Sequence, residues 1–229
     1  MNNVQLLENE RIDDLEFNNL NIIQNNDLYC FTCDAVLLAN FAKAKKTDKL
    51  LDLCSGSGIV GILTQAKNNN QNLTCVELQE CMANMCNRSI QLNKLENIAK
   101  VVNCSVQEAP KVLGSEVFDV IVCNPPYKKT DSHKISEKAE IGICKYEIKL
   151  TFNELAKSVN SLLRFGGKFY FVHESCRLSE LISTLKQNNL QPKRIKFVYP
   201  KKNANSHIVL IEAKKGAKDG LIIEPPIVL

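Results

Sequence analysis

The sequence predicts a doubly wound α/β fold: a seven-stranded, mostly parallel sheet with helices on both faces and an antiparallel hairpin at its carboxy-terminal end. From residue 49 onward, short apolar runs alternate with segments whose apolar residues recur at helical spacing, which is typical of parallel sheets. The last two apolar runs are joined by a polar loop without a helix, so we expect that pair to be antiparallel. The length of 229 residues suits one such domain.

The individual elements follow from these patterns. Strands are predicted at 50–53, 73–76, 100–102, 117–123, 168–173, 194–199 and 207–214. Helices are predicted at 59–65, at 79–93, from Phe152 to a glycine stop at Gly166 and Gly167, and across 178–185. Residues 1–48 are predicted to form an N-terminal extension that covers the cleft of the main domain, residues 49–229. The extension begins irregularly and ends in a helix capped by Thr32 or Asp34.

Composition indicates a globular protein. The formal charge is +4, 45% of the residues are hydrophobic and 24% are charged. No apolar run approaches the roughly 18 residues of a membrane span, and the first residues lack the basic start and apolar block of a signal peptide. We therefore expect a cytoplasmic protein without membrane contact. The ten cysteines are scattered, so we expect reduced core thiols. Cys30 and Cys33 lack the second pair of a zinc site, and no metal is expected.

A glycine loop follows the first predicted strand of the main domain. Gly56, Gly58 and Gly61 formally match the dinucleotide fingerprint GxGxxG, which is a weak signal alone. Asp52 at the strand end would repel a pyrophosphate but attract a cationic amino group. Glu77, at the end of the next strand, can accept hydrogen bonds from both ribose hydroxyls. A nucleoside that carries an amino acid, S-adenosylmethionine, fits these two acids better than a dinucleotide.

The tetrapeptide Asn-Pro-Pro-Tyr, residues 124–127, ends the predicted strand 117–123. Asn124 offers a side-chain carbonyl, and Pro126 restricts the residue before it, so that the Pro125 carbonyl can point outward beside it. These two acceptors can hold an exocyclic amine while Tyr127 stacks on the ring that carries it. We therefore predict a catalytic role for all four residues; the alternative is an ordinary strand-ending turn.

Basic residues are concentrated in the carboxy-terminal third. Residues 157–205 contain ten lysines and arginines but only two acids, Glu174 and Glu180. Such an excess favours contact with a polyanion, and a solvated basic face is the alternative. The predicted RNA contacts are Lys128, Lys129, Arg177, Lys193, Arg194, Lys196, Lys201 and Lys202.

With these motifs in order, the chain resembles class I amino methyltransferases. Further segments, NNDLYCFTCDAVLLANFA at 25–42, HESCRLSEL at 173–181, KRIKFVYP at 193–200 and GLIIEPPIVL at 220–229, resemble the bacterial tRNA1(Val) (adenine37-N6)-methyltransferase family. The resemblance implies a Rossmann-like class I methyltransferase fold and closure of the segment around 29–34 over the cofactor. It also implies methylation of N6 of adenine 37, in the anticodon loop of tRNA-Val, with S-adenosylhomocysteine as the product. The expected cofactor contacts are Thr32, Asp34, Asp52, Cys54, Ser55, Gly56, Gly58, Glu77, Leu78, Ser105 and Asn124.

Two positions depart from the family pattern. Cys54 occupies the place of a loop glycine in many relatives. Ser105 stands where many relatives have an acid that holds the adenine amino group of the cofactor, so a hydroxyl or backbone group must substitute.

Three alternatives remain open from the sequence. The tetrapeptide also occurs in enzymes that methylate glutamine in release factors or amino groups in DNA and rRNA. GxGxxG at 56–61 is compatible with a nicotinamide-dependent oxidoreductase. An RNA-binding module without catalysis is the third. The oligomeric state is not determined by the sequence, and a monomer is expected.

Overall fold

One twisted sheet with helices on both faces forms the body of the protein in a computed structural model that describes residues 4–28, 30, 32–127 and 149–229. Within these residues the strand order is β10-β8-β9-β7-β6-β3-β4-β5, and β11 also pairs with β8. Neighbouring strands are parallel except for β9, which is antiparallel to both β7 and β8. The predicted α/β fold and its antiparallel carboxy-terminal pair are confirmed.

The elements have the following bounds. The strands are β1 Glu10–Asp14, β2 Asn21–Asn25, β3 Leu50–Leu53, β4 Leu73–Glu77, β5 Ala99–Asn103, β6 Phe118–Cys123, β7 Leu163–Glu174, β8 Leu190–Tyr199, β9 Ile208–Lys215, β10 Ile222–Ile223 and β11 Ile227–Val228. The helices are α1 Cys33–Phe41, α2 Ile59–Asn68, α3 Glu80–Leu92, α4 Ala109–Leu113, α5 Phe152–Leu162 and α6 Leu178–Gln187. None of these helices combines the length and the apolar character needed to cross a membrane.

The sheet separates two apolar cores. Central strands such as β3 are buried along their whole length, because helices cover both faces of a parallel sheet. One core joins α1 and α2 to the sheet through residues such as Leu38 and Ile62. The other joins α5 and α6 to the opposite face through residues such as Leu155 and Leu181. Helix α1, although it lies in the predicted N-terminal extension, is therefore an integral part of the core.

The N-terminal extension contains a β-hairpin that the sequence analysis did not predict. Strands β1 and β2 are antiparallel, and positive φ angles at Asn18 and Asn19 turn the chain between them. The hairpin packs against α3, where the Ile23 N–H donates to Ser89 Oγ at 3.1 Å. Of the two predicted caps of α1, Thr32 occupies the N-cap position, but its side chain makes no capping hydrogen bond, and Asp34 lies in the first turn.

The glycine stop predicted after α5 was wrong. The helix ends at Leu162, and β7 begins directly at Leu163. Leu163 pairs with Phe118 and Lys168 with Val120, so the residues between Leu163 and Lys168 form an irregularity in the strand. Gly166 adopts a φ of +78° there, so the glycines belong to this irregular part of the strand and not to a helix end.

The C-terminal residues extend the sheet, which the sequence analysis also did not predict. Strands β10 and β11 run parallel to β8, and the Leu229 N–H donates to the Tyr199 carbonyl at 3.0 Å. Glu224, between these two strands, pairs with Arg194 and Lys196 of β8. The tail is thereby fixed along the edge of the sheet.

Candidate cofactor and target-base site

A cavity opens where the parallel strands β3, β4 and β6 end. The open space within it is about 870 Å³, which includes solvent at its mouth. Ligands of open α/β sheets bind at the carboxyl ends of the strands, which agrees with this position. Five groups of residues line it: Ala35 of α1, residues 54–57 of the glycine loop with 59 and 60 of α2, residues 76–79 with Met82, residues 104–107, and Asn124 and Pro126 with Lys149 and Leu150. Gly58, a predicted cofactor contact, does not line it.

The glycine loop forms the floor of the cavity and leads into α2. Gly56 and Gly58 have φ angles of +54° and +93°, and Gly58 occupies the N-cap position of α2. A Cβ atom at Gly58 would lie 2.6 Å from Cys86 Sγ, so the turn requires glycine both for its conformation and for the close approach of α3. Cys54 has a φ of +58°, which costs a non-glycine residue about 1–2 kcal/mol. Both Cys54 and Ser55 line the cavity as predicted.

Glu77 lines the cavity at the end of β4. Its Oε2 accepts from the Gly56 N–H at 2.8 Å and its Oε1 from the Gln79 N–H at 2.9 Å. Burial raises the pKa of this carboxyl, and the backbone N–H groups of Gln79 and Gly56 counteract that effect. Each oxygen keeps a lone pair, so the geometry is compatible with the predicted ribose contact. Leu78, which follows it, also lines the cavity.

Asp52 does not line the cavity, which corrects its predicted position. Its side chain is fully buried behind the glycine loop, where Oδ2 accepts from the Gly61 N–H at 2.8 Å. Burial raises the pKa of Asp52 to about 8, and the charge of Glu77 acts in the same direction. Oδ1 has no hydrogen-bond partner among the described residues. The acid therefore fixes the start of α2. Asp52 can affect a ligand in the cavity only indirectly, by holding the glycine loop in place.

Ser105 lines the cavity, but its hydroxyl is already engaged. Ser105 Oγ donates to Glu108 Oε2 at 2.6 Å and accepts from the Glu108 N–H at 3.2 Å. This reciprocal arrangement is typical of a helix start and precedes α4. Gln107 also lines the cavity, and its Nε2 donates to the Lys149 carbonyl at 2.9 Å, so its side chain is fixed there. No sequence motif pointed to Gln107 as a site residue.

The tetrapeptide 124–127 adjoins the cavity at the end of β6, which confirms its predicted place relative to the glycine loop. Asn124 and Pro126 line the cavity, and Pro125 is buried. Asn124 Oδ1 is buried and has no hydrogen-bond partner within the described part of the chain. A buried carbonyl oxygen without a partner is costly, so this atom is available to accept from an amine bound in the cavity.

Tyr127 is held by residues from two other parts of the chain. Its hydroxyl donates to Asp34 Oδ2 at 2.9 Å, and its carbonyl accepts from Arg177 Nη1 at 3.1 Å. The ring lies 5.6 Å from the ring of His173, centroid to centroid. His173 is fully buried, which lowers its pKa to about 3, so the imidazole is neutral at pH 7. Thr32, predicted to contact the cofactor, is exposed, and neither it nor Asp34 lines the cavity.

Several predicted RNA contacts are instead structural ion pairs. Arg177 is only 8% exposed and binds Glu180. Arg194 pairs with Glu212 and Glu224 and lies over the ring of Phe41, 4.4 Å from its centroid.

Of the other predicted contacts, Lys196 pairs with Glu224, and the Lys193 ammonium donates to the carbonyls of Lys218 and Asp219. Lys201 and Lys202 are exposed in the loop between β8 and β9. Lys128 and Lys129 lie outside the described residues.

The polar groups that line the cavity fit S-adenosylmethionine. Ser55 Oγ is buried, lacks a hydrogen-bond partner among the described residues and belongs to the cavity wall. Glu77 adds a carboxylate at the position expected for the ribose. Among the described residues, no group of three His, Cys, Asp or Glu side chains could hold a metal ion, and Cys30 and Cys33 are free thiols.

Comparison with known sequences agrees with this geometry. Residues 32–189 match the family model described as methyltransferase small domain. A tRNA1(Val) (adenine(37)-N6)-methyltransferase from Shewanella sp. (strain W3-18-1) is 30% identical over 147 residues, which cover 62% of this chain and 60% of the relative. The enzyme of the same name from Aliivibrio salmonicida is 22% identical over 179 residues, 78% of this chain and 74% of the relative. The chain thus matches less than two thirds of the Shewanella relative's length.

Two solved structures of methyltransferases share this fold. A predicted O-methyltransferase from Agrobacterium tumefaciens superposes with a TM-score of 0.68 at 20% identity, covering 85% of this chain and 86% of that one. Geranyl diphosphate C-methyltransferase from Streptomyces coelicolor A3(2), solved with S-adenosyl-L-homocysteine, gives a TM-score of 0.60 at 13% identity, covering 80% of this chain and 77% of that one. With its sequence match over residues 32–189 and its shared fold, the chain belongs to the methyltransferase small domain family.

Proposed function

We propose that this chain transfers a methyl group from S-adenosylmethionine to the N6 amino group of adenine 37 in tRNA1(Val). The observation that carries the proposal is that Glu77 at the end of β4 and Asn124 after β6, the two strands that flank β3, line one cavity. The cavity thereby contains a carboxylate that suits ribose hydroxyls and an amide oxygen that suits an exocyclic amine. Membership of a methyltransferase family supports the reaction class, and the names of the relatives support tRNA as the acceptor.

The cofactor would be held by the glycine loop and Glu77. Gly56, which lines the cavity, would allow close approach of the cofactor, and Glu77 would accept from the ribose hydroxyls. Gln107 and Ser105 adjoin the cavity on the side that follows β5 and would contact the cofactor's adenine. When bound, S-adenosylmethionine supplies a methyl group activated by the positive charge on sulfur, and S-adenosylhomocysteine remains as the product.

The acceptor would be held by the tetrapeptide. Asn124 Oδ1 and the Pro125 carbonyl would accept the two hydrogens of the amine, and Tyr127 would stack on the purine. Holding the amine in line and excluding water is the main contribution required of the protein. After transfer, the amine proton leaves along its hydrogen bond to Asn124 or to water. His173 is fully buried behind Tyr127, and burial lowers its pKa to about 3, which makes the imidazole a poor proton acceptor, so we assign it no role as a base.

The RNA would approach along the carboxyl edge of the sheet. Register places Glu174 of β7 beside Ile208 of β9, and Ile208 beside Val198 of β8, so the 200–207 loop lies at this edge. Ser175 Oγ donates to the Ser206 carbonyl at 2.6 Å, which ties the loop to the segment after β7. Lys201 and Lys202 would provide phosphate contacts there. A cytoplasmic location and a monomeric state remain predictions from the sequence.

Transfer of labelled methyl groups to three acceptors tests the proposal. The protein would be incubated with labelled S-adenosylmethionine and an unmodified tRNA1(Val) transcript, the same transcript with guanine at position 37, or a release factor. We expect label only in the first transcript. Label in the guanine-37 transcript would move the site elsewhere in the RNA. Label in the release factor alone would replace the RNA acceptor with a glutamine side chain.

A further inference from the structure

We propose that Asp34 is a positioning residue for Tyr127: it holds the phenol ring in the orientation in which the ring receives the target base. The inference rests on the proposed function, because it assigns a role within the same site. It also replaces the cofactor contact that the sequence predicted for Asp34.

The geometry joins residues that are far apart in the chain. Tyr127 Oη donates to Asp34 Oδ2 at 2.9 Å across a sequence separation of 93 residues. A hydrogen bond to a carboxylate is among the stronger hydrogen bonds in proteins. Asp34 is 8% exposed, so solvent competes little for its oxygens. Since Asp34 does not line the cavity, a contact with Tyr127 accounts for a buried carboxylate at this position better than a contact with the cofactor.

The carboxylate is rigidly mounted. Asp34 lies in the first turn of α1, and Ala35, Leu38 and Ala39 of the same helix are at most 1% exposed. These residues belong to the apolar core that includes β3 and α2. The oxygen that accepts the hydrogen bond from the tyrosine hydroxyl is therefore fixed relative to the sheet.

The opposite end of the tyrosine is fixed independently. Arg177 Nη1 donates to the Tyr127 carbonyl at 3.1 Å, and Glu180 binds the same guanidinium through contacts of 2.5 and 3.2 Å. The His173 ring contacts the tyrosine ring. Arg177 fixes the backbone of Tyr127 and His173 packs against one part of its ring. The hydrogen bond from the hydroxyl to Asp34 then prevents the phenol from rotating about its side-chain bonds. A preoriented stacking surface loses less freedom when the base binds, which strengthens binding of the acceptor without touching the cofactor.

A mutant cycle tests this role. Asp34→Ala is expected to lower kcat/KM for the acceptor about tenfold, mainly through KM, while the cofactor Kd changes less than twofold. Asp34→Asn keeps an oxygen that can accept a hydrogen bond from the hydroxyl and is expected to retain at least a third of wild-type kcat/KM. Tyr127→Phe should show the same loss as Asp34→Ala, and adding Asp34→Ala to it should change kcat/KM less than twofold. Asp219→Ala, at an exposed acid, serves as the matched control.

Two kinetic results would overturn the proposal. One is a further tenfold loss when Asp34→Ala is added to Tyr127→Phe, since Asp34 would then act independently of the hydroxyl. The other is full kcat/KM in Tyr127→Phe, a result that can be obtained even if Asp34→Ala fails to fold. A cofactor Kd that weakens as much as kcat/KM in Asp34→Ala would return Asp34 to the cofactor.

A spectroscopic measurement separates this inference from the proposed function. The chain has five tyrosines, and labelling their Cζ atoms with carbon-13 gives one signal each, with Tyr127 identified by its loss in Tyr127→Phe. The Tyr127 signal is expected to shift in Asp34→Ala and to remain closer to wild type in Asp34→Asn. No acceptor is needed, so the shift can be seen even if tRNA is not methylated. An unchanged signal in folded Asp34→Ala would refute the positioning role.

Discussion

Replacing Asn124 by alanine should abolish most activity while leaving the free protein as stable as before. The side-chain oxygen is buried without a hydrogen-bond partner in the described part of the chain. In the proposed transition state the attacking amine gains positive charge, and a preorganised acceptor of this kind contributes about 2.7 kcal/mol, or roughly a hundredfold in rate. In the free protein the same oxygen costs about 1–3 kcal/mol, so its removal offsets the lost packing. We expect kcat to fall about a hundredfold and the free energy of unfolding to change by less than about 1 kcal/mol.

Single-turnover methyl transfer, cofactor calorimetry and thermal unfolding measure the three quantities separately. The cofactor Kd of Asn124→Ala should remain within about threefold of wild type, because Glu77 and the glycine loop are untouched. Asn97→Ala, at an exposed asparagine, is the matched control and should leave all three unchanged. Wild-type turnover in Asn124→Ala would refute the catalytic role of the amide. A large loss of stability would instead assign the residue a structural role.

The remaining predictions concern the acids and the basic residues. Burial raises the pKa of Asp52 from 3.8 to about 8, so its contribution to stability is complete below pH 3.8 and is lost as the pH rises through about 8. In a fluorimetric series over this pH range, the fall in Tm should therefore be shallower for Asp52→Asn than for the wild type. Glu77→Gln should weaken the cofactor Kd about tenfold or more by calorimetry, because it removes a charged hydrogen-bond acceptor; an unchanged Kd would exclude the ribose contact. Replacing Lys201 and Lys202 by alanine should weaken tRNA binding and reduce its salt slope by roughly 1–2, whereas an unchanged slope would remove the loop from the interface. Arg194→Ala should lower Tm, because it breaks the ion pairs with Glu212 and Glu224, and should leave the salt slope of tRNA binding unchanged. A smaller slope would show that Arg194 contacts the RNA.

The sheet and the site around it could be predicted because local patterns determine them. Buried strands such as β3 and β6 appear as short apolar runs, and the carboxyl ends of parallel strands necessarily meet at one edge. Glu77 and Asn124 each follow or end such a run, and the prediction that they lie at the same site was therefore correct. The same reasoning failed for Asp52, because depth within the sheet decides whether a strand-end acid faces the cavity or the loop behind it.

The basic residues show what a sequence window misses. Residues 157–205 contain only two acids, yet several of their bases are neutralised by acids from elsewhere in the chain. Asp119 pairs with Arg164, and Glu212 and Glu224 pair with Arg194. Strand order decides these pairings, and β8 receives partners from both β9 and the C-terminal tail. Counting charges along the chain therefore overestimated the surface available to RNA.

Long-range contacts account for the other corrections. Arg177 was predicted to bind RNA, but it is buried against the carbonyl of Tyr127, 50 residues away in the chain. The link between Asp34 and Tyr127 spans 93 residues, and neither contact leaves a periodic signal in the sequence. The N-terminal hairpin had a weak signal in consecutive asparagines, Asn18 and Asn19, which tolerate positive φ angles well.

The most direct test of the central claim is mass spectrometry of nucleosides from unmodified tRNA1(Val) incubated with the protein and S-adenosylmethionine, with the modified position mapped by nuclease fragments. We predict N6-methyladenosine at position 37 alone, and none with Asn124→Ala under the same conditions. Methylation at another position or on another atom, or an unmodified tRNA in the presence of bound cofactor, would contradict the account.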